Sequence, residues 1–167
     1  MIPNIAFITY IKQLDRALEN CDTVLDVGCG GNSPLQFIKR KVYSVGVDGY
    51  ASFLKESKNN GIHSKVVLMD ISKLSKKFKE KSFDAVIALD VIEHLPKKEG
   101  HKLIDFMEKI AIKKVIIFTP NGFVPQFDEK NKLQTHLSGW TVDEFRKREY
   151  TVRGMYGWKN LRKEEAE

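Results

Sequence analysis

The sequence predicts an α/β protein built on a doubly wound, mainly parallel sheet, with helices covering both faces in three layers. Three observations predict it. Short runs rich in Val, Ile and Leu recur along the 167 residues, these runs are apolar almost without interruption, and polar, helix-compatible stretches separate them. A strand that is apolar on both faces is one covered on both faces, as parallel strands are. Alternation of such strands with helices is the pattern of an α/β sheet.

The elements follow in order. Near residues 4–20, Ile5, Ile8, Ile11, Leu14 and Leu18 recur at helical spacing, which predicts an amphipathic helix packed on the sheet. The β-branched runs are Thr23–Val27, Val42–Val47, Lys65–Met69, Phe83–Leu89 and Lys114–Phe118. A helix is expected to start near Ser33, with Pro34 suited to a first helical position. The segment from Lys97 to Ile112 repeats the helical period through Leu103, Ile104, Met107 and Ile110. Thr141 and Glu144 form a capping-box pair that opens a short helix through Arg148. Tyr150–Met155 reads as a sixth strand, and a seventh is either made from Trp158–Arg162 or absent. The domain reading is therefore a packed N-terminal helix over 1–22, one α/β domain over 23–163 and a charged tail over 164–167.

Composition narrows the function classes. At 42% hydrophobic and 30% charged residues, the chain reads as soluble and globular. Its cysteines, Cys21 and Cys29, form no CxxC pair, which argues against a zinc site and a disulfide framework and makes the cytoplasm the expected location. No stretch approaches the roughly 20 apolar residues of a membrane span, and no signal-peptide architecture is present. A net charge of +6 raises nucleic acid as a partner. The basic clusters, such as Lys39-Arg40-Lys41 and Arg146-Lys147-Arg148, are scattered beside glutamates and helix ends, where solvated cations are the ordinary finding.

Ligands of open α/β sheets bind beyond the carboxyl ends of the strands, and the chemistry-bearing residues fall there. The first run leads into Asp26-Val27-Gly28-Cys29-Gly30-Gly31. Glycines at 28 and 30 let the backbone turn sharply and approach a ligand closely, although a Gly-x-Gly alone does not choose the ligand. A dinucleotide fingerprint would place Gly or Ala where this chain has Ser33, which argues against a nicotinamide cofactor. Asp48, followed by Gly49, ends the second run about 20 residues beyond Gly28, where a carboxylate accepts the hydroxyls of a ribose. Asp70 ends the third run. It can either meet an adenine amine, with the Ile71 N–H on a ring nitrogen, or cap a helix starting near Ile71.

Taken in order, Asp26-Val-Gly-Cys-Gly-Gly, Asp48, Asp70 and Phe83–Leu95 resemble the motif set of class I S-adenosylmethionine-dependent methyltransferases. The resemblance covers residues 23 to 119 and implies a Rossmann-like fold with S-adenosyl-L-methionine as cofactor. It implies that Asp26, Gly28, Cys29 and Gly30 approach the methionine portion, that Asp48 and Gly49 meet the ribose, and that Asp70 and Ile71 meet the adenine. Leu89 and Asp90 would close the pocket beside the methyl group. Catalysis would then rest on holding nucleophile, methyl carbon and sulfur in line and on removing a proton from the acceptor.

A second constellation, Asp90-x-x-Glu93-His94 with His136 downstream, is similar to the acidic-x-x-Glu-His arrangement of small-RNA 2′-O-methyltransferases and ubiquinone-pathway O-methyltransferases. Three readings of it stay open. Asp90, Glu93, His94 and His136 could hold a divalent ion that acidifies an acceptor hydroxyl, His94 could be a general base, or Glu93 and His94 could be a structural pair. The metal-free readings are the primary ones, because Asp90 is a methylene shorter than the glutamate of that arrangement. The segment from Asn121 to Trp140, with Phe123, Phe127, His136 and Trp140, suits an acceptor lid, unless Phe123 and Trp140 are core anchors. The resemblance thus implies methyl transfer to an oxygen or nitrogen of a small-molecule acceptor. The alternatives are metal-assisted 2′-O-methylation of RNA and a non-catalytic cofactor-binding or partner subunit.

Overall fold

The computed structural model describes residues 5–129 and 132–155. Helix α1 (Ile5–Ala17) precedes strand β1 (Thr23–Val27), and β2 (Tyr43–Asp48), α2 (Ala51–Asn59) and β3 (Lys65–Leu68) follow. The second half runs β4 (Phe83–Leu89), α3 (Lys97–Ile110), β5 (Ala111–Phe118) and α4 (Val142–Lys147). The strands form one sheet in the order β3-β2-β1-β4-β5, each pair parallel. The order reverses between β1 and β4, and a crevice opens at such a switch point.

The alternation of side chains along each strand divides the core in two. Leu25, Val27, Val45, Val47, Val86 and Ala88 pack under Leu103, Ile104 and Met107 of α3, together with Trp140 and Phe145. Val24, Ala85 and Ile87 face the other way, against Leu14 and Leu18 of α1 and Leu35. Burying each such Val, Leu, Ile or Met side chain stabilises the fold by about 1.5–3 kcal/mol. Carbonyls at the end of α1 are satisfied from β5. Lys114 Nζ donates to the oxygens of Ala17 (2.8 Å) and Glu19 (3.0 Å), and Lys113 Nζ to that of Asn20 (2.8 Å).

Four details differ from the sequence reading. After Ser33 the chain makes one 3-10 turn, Pro34–Phe37, and then becomes extended at Ile38 (φ −71°, ψ 150°). The face a longer helix would cover is already filled by α1, and Arg40 Nη1 bonds the Leu18 oxygen at 2.7 Å. Helix α3 stops at Ile110 and β5 begins at once with Ala111, so that strand starts before Lys114. Tyr150–Met155 is not a strand. Side chains rather than a backbone ladder tie the start of this stretch to α3. Arg148 bonds Asp105 (2.8 Å) and the Tyr150 hydroxyl donates to Glu108 (3.0 Å). The capping box at Thr141 and Glu144 forms as expected, but α4 ends at Lys147. The expected strand at Trp158–Arg162 and the tail Glu164–Glu167 lie outside the described residues. Among those described, no helix is long and apolar enough to cross a membrane.

Candidate active site

The carboxyl ends of β1, β2 and β3 build one corner of the crevice. Gly28 leaves β1 at φ 68°, and a Cβ there would sit 2.7 Å from a methyl of Val91, so both its conformation and its neighbour require glycine. The amides of Gly28 and Cys29 both donate to the Val47 oxygen, at 2.8 and 3.0 Å. Gly30, at φ 58°, has open space where a Cβ would point. Its N–H donates to Asp48 Oδ2 at 2.9 Å, and Asp48 Oδ1 accepts from the Tyr50 N–H at 2.8 Å. Asp48 thus fastens the glycine loop to the end of β2, and each carboxylate oxygen has a further lone pair for a ligand.

Asp26 lies beneath this loop at 1% exposure. Its Oδ2 accepts from Ser33 Oγ at 2.5 Å and from His63 Nε2 at 3.0 Å. Cys29 is buried too, and burial, reinforced by Asp26 and Asp48, pushes its thiol far above the ordinary range. At the end of β3, Asp70 caps a 3-10 turn running from Ile71 to Lys76. Its Oδ1 accepts from the Ser72 N–H at 2.9 Å, which holds its carboxyl below the usual range. Asp70 also lines an open hollow of about 400 Å³ with Gly49, Leu68, Met69 and Lys73, so capping and lining coexist. Leu89 packs with the α1 cluster on the opposite face of the sheet from α3. A larger groove, about 910 Å³, runs along the outer edge of β5 between Tyr10 and Tyr150 and, of the motif residues, touches only Leu89.

The second corner lies beyond β4 and β5. Asp90 leaves β4 at φ 55°, a left-handed conformation that costs a non-glycine residue about 1–3 kcal/mol. Its N–H donates to the Phe118 oxygen at 2.8 Å. The carboxyl is solvent-accessible, but the protein mass around it and then the nearby Glu93 push it up to about 6. Glu93 and His94 follow in a 3-10 turn, Ile92–His94. Glu93 is 2% exposed, and burial raises its carboxyl. Glu93 Oε2 accepts from the Thr119 hydroxyl at 3.0 Å, whereas Oε1 is buried with no hydrogen-bond partner among the described residues.

His136 reaches the same place from the far loop. Ligand-capable atoms of Glu93, His94 and His136 all lie within 4.8 Å of one another, and Asp90 adjoins them without joining the set. His94 Nδ1 donates to the Thr135 oxygen at 3.2 Å, and His136 Nδ1 to the Val124 oxygen at 2.5 Å. A carbonyl can only accept, so each Nδ1 carries a hydrogen, and Nε2 is the nitrogen left for another partner. Burial lowers His94 further toward its neutral form.

The loop is clamped at both ends. The Gly122 N–H donates to the Trp140 oxygen at 2.7 Å, and the amides of Leu137 and Ser138 donate to the Glu93 oxygen at 2.7 and 3.1 Å. Trp140 is buried (1% exposed) against Gly100 of α3, with Lys97 Nζ 3.8 Å over its ring. Trp140 is therefore a core anchor, whereas Phe123 (57%) and Phe127 (75%) are exposed. Sequence reasoning missed His63, Ser57 and the Thr119 contact. A single histidine ahead of β3 carries no local signal that it will meet Asp26.

Residues 25–118 match the family model described as a methyltransferase domain. No curated protein sequence matches. Among solved structures, an S-adenosylmethionine-dependent methyltransferase from Archaeoglobus fulgidus superposes with a TM-score of 0.65 at 20% identity, over 83% of this chain and 64% of that one. The magnesium protoporphyrin IX methyltransferase of Synechocystis PCC 6803 with bound S-adenosylmethionine gives 0.62 at 20% identity, over 86% and 66%. The methyltransferase domain of the bacterial protein CtHen1 gives 0.61 at 21% identity, over 86% and 81%. The chain thus spans about two thirds of the length of the first two, and at these identities the likeness is one of fold.

Proposed function

The chain belongs to the methyltransferase-domain family, and from that premise we propose that it transfers a methyl group from S-adenosylmethionine to an oxygen or nitrogen of a small-molecule acceptor. The observation that carries the reading is the Gly30–Asp48 bond at the carboxyl ends of β1 and β2. It holds a side-chain-free loop and a carboxylate together beside the hollow lined by Gly49 and Asp70. The residues present fit the cofactor. Gly30 leaves open space for it, Asp48 has lone pairs for ribose hydroxyls, and Asp70 has an oxygen not used in capping. Bound there, the cofactor would supply an electrophilic methyl group on a sulfonium. The chain's own task is to hold the acceptor in line with it and take the acceptor's proton.

We assign that second task to Glu93, His94 and His136. One observation favours a divalent cation among them over a metal-free site. A buried carboxylate oxygen without a donor stands beside two imidazoles whose Nδ1 atoms are fixed by carbonyls, as the outer nitrogens of ligand histidines usually are. Such a cation would lower the pKa of an acceptor hydroxyl. The loop that carries His136 exposes Phe123, Val124, Phe127 and Leu137, which supports an acceptor with an apolar body. The test is calorimetry with S-adenosylhomocysteine and NAD, followed by turnover under EDTA with Mg²⁺ or Mn²⁺ restored. Micromolar binding of the former alone supports the cofactor, and equal binding of NAD refutes it. Activity indifferent to EDTA refutes the cation and leaves His94 as a base or as half of a structural pair, which His94→Ala separates by a loss of rate without, or together with, a loss of stability.

A further inference from the structure

Beneath the glycine loop lies a chain of buried polar groups that methyl transfer as described does not use. Its outermost member is Ser33, 2% exposed, whose hydroxyl caps the 3-10 turn at Leu35 N (3.3 Å) and donates to Asp26 Oδ2 at 2.5 Å. Asp26 Oδ2 also meets His63 Nε2 at 3.0 Å, and His63 Nδ1 meets Ser57 Oγ of α2 at 2.8 Å. The side chains of His63 and Asp26 are 0% and 2% exposed, and Ser57 is 0% exposed. The arrangement is a fitted one. Gly46 stands opposite Asp26 in the β1–β2 register, and a Cβ there would lie 3.0 Å from the His63 ring and 2.8 Å from Cys29 Sγ. The missing side chain is what admits the imidazole.

We propose that His63 is a positioning residue of the cofactor site: braced by Ser57, it holds the Asp26 carboxylate that fastens the Gly28–Ser33 loop in its receiving shape. A buried carboxylate must be matched by donors, and donors to a charged acceptor are the strong ones. Both donors here converge on one oxygen. Without His63, Ser33 would be the remaining donor to Asp26 among the described residues, and that same hydroxyl also caps the turn that ends the loop. The effect should therefore fall on the loop, which faces the amino-acid end of the cofactor. It should spare the adenosine end, which rests on Asp48 and Asp70.

This inference rests on the cofactor reading above, and the experiment separates the two. Binding of S-adenosylhomocysteine and of 5′-methylthioadenosine, which keeps adenosine and sulfur but lacks the amino-acid end, is measured by calorimetry in wild type, His63→Ala and His63→Gln. The expected result is that His63→Ala weakens S-adenosylhomocysteine about tenfold while 5′-methylthioadenosine changes by less than about threefold. His63→Gln, which returns an N–H donor near the position of Nε2, should recover most of the loss. Where His63→Ala does not fold, Ser57→Ala should give the same selectivity with a smaller factor. Equal weakening of both ligands, or full S-adenosylhomocysteine affinity in a folded variant, overturns the role of His63 and leaves the cofactor reading intact. A wild-type chain that binds neither ligand overturns both.

Discussion

Glu93→Gln should make the metal-free protein more stable and less able to respond to divalent cations. The structure sets the magnitude. Glu93 Oε2 is satisfied by Thr119, whereas Oε1 is buried with no donor in hydrogen-bond geometry among the described residues, and the adjoining Asp90 carboxyl can share a proton with it only until Asp90 ionises near pH 6. An unsatisfied buried polar atom costs about 1–3 kcal/mol, more when charged. The amide of Gln keeps an oxygen for Thr119 and turns the other position into a donor, so urea unfolding in EDTA should show a gain of about 1–3 kcal/mol. For a domain of this size that is about 2–4 °C in Tm per kcal/mol. Saturating Mn²⁺ should then stabilise wild type by about 2.7 kcal/mol at a hundredfold excess over its Kd and leave the variant unmoved.

The pH dependence provides a second readout of the same site. Asp90 is held near 6 and Glu93 is raised, so the folded protein keeps protons that the unfolded chain sheds from about pH 4 upward. The stability these two carboxyls contribute is full below that point and lost as pH rises through about 6. Glu93→Gln should flatten that slope. A variant that is less stable than wild type in EDTA, or that keeps the Mn²⁺ response, would refute the argument.

Three further outcomes follow from the geometry. Asp48→Ala removes a carboxylate from both the loop and the ribose position, and hydrogen bonds to a charged group contribute about 1.5–3 kcal/mol. S-adenosylhomocysteine affinity by calorimetry should fall at least about tenfold. Gly100→Ala drives a methyl into the Trp140 ring. It should cost about 1–3 kcal/mol in urea unfolding and weaken any Mn²⁺ response, because the loop carrying His136 is anchored by that ring. Cys29, buried with its thiol pushed far up, should resist iodoacetamide at pH 8 in the native protein and react once urea unfolds it.

The sheet was largely legible because each strand is marked twice, by β-branched residues and by the motif residue that leaves its end. Thr23–Val27 stands where it was expected, and Asp48 and Asp70 close β2 and β3 as their positions imply. Tyr150–Met155 misled because an alternating, β-branched stretch says nothing about whether an edge will accept it. Here Arg148 and Tyr150 bond Asp105 and Glu108 on α3, and these side-chain contacts hold the segment where no ladder forms. The turn after Ser33 misled for the complementary reason. Its helix signals are genuine, but α1 already covers that face, so a single capped turn suffices.

The two corners of the crevice differ in how their geometry is specified. The cofactor corner rests on contacts between consecutive strand ends, so spacing alone places Gly30 near Asp48. The second corner depends on pairs such as His94 with Thr135, 41 residues apart, and nothing in local spacing fixes where such a loop returns. What fixes it is Trp140. With Gly100 opening space in α3 and the Glu93 oxygen taking the amides of Leu137 and Ser138, the buried indole holds the loop in the register that carries His136 to Glu93 and His94. The shorter Asp90 argued from sequence against a metal. Glu93, His94 and His136 come within 4.8 Å of one another without it, so the response of turnover to EDTA, and not the length of Asp90, decides between the readings. The conformation Asp90 adopts on leaving β4, with its N–H on Phe118, instead makes it the bend that turns the chain toward Glu93.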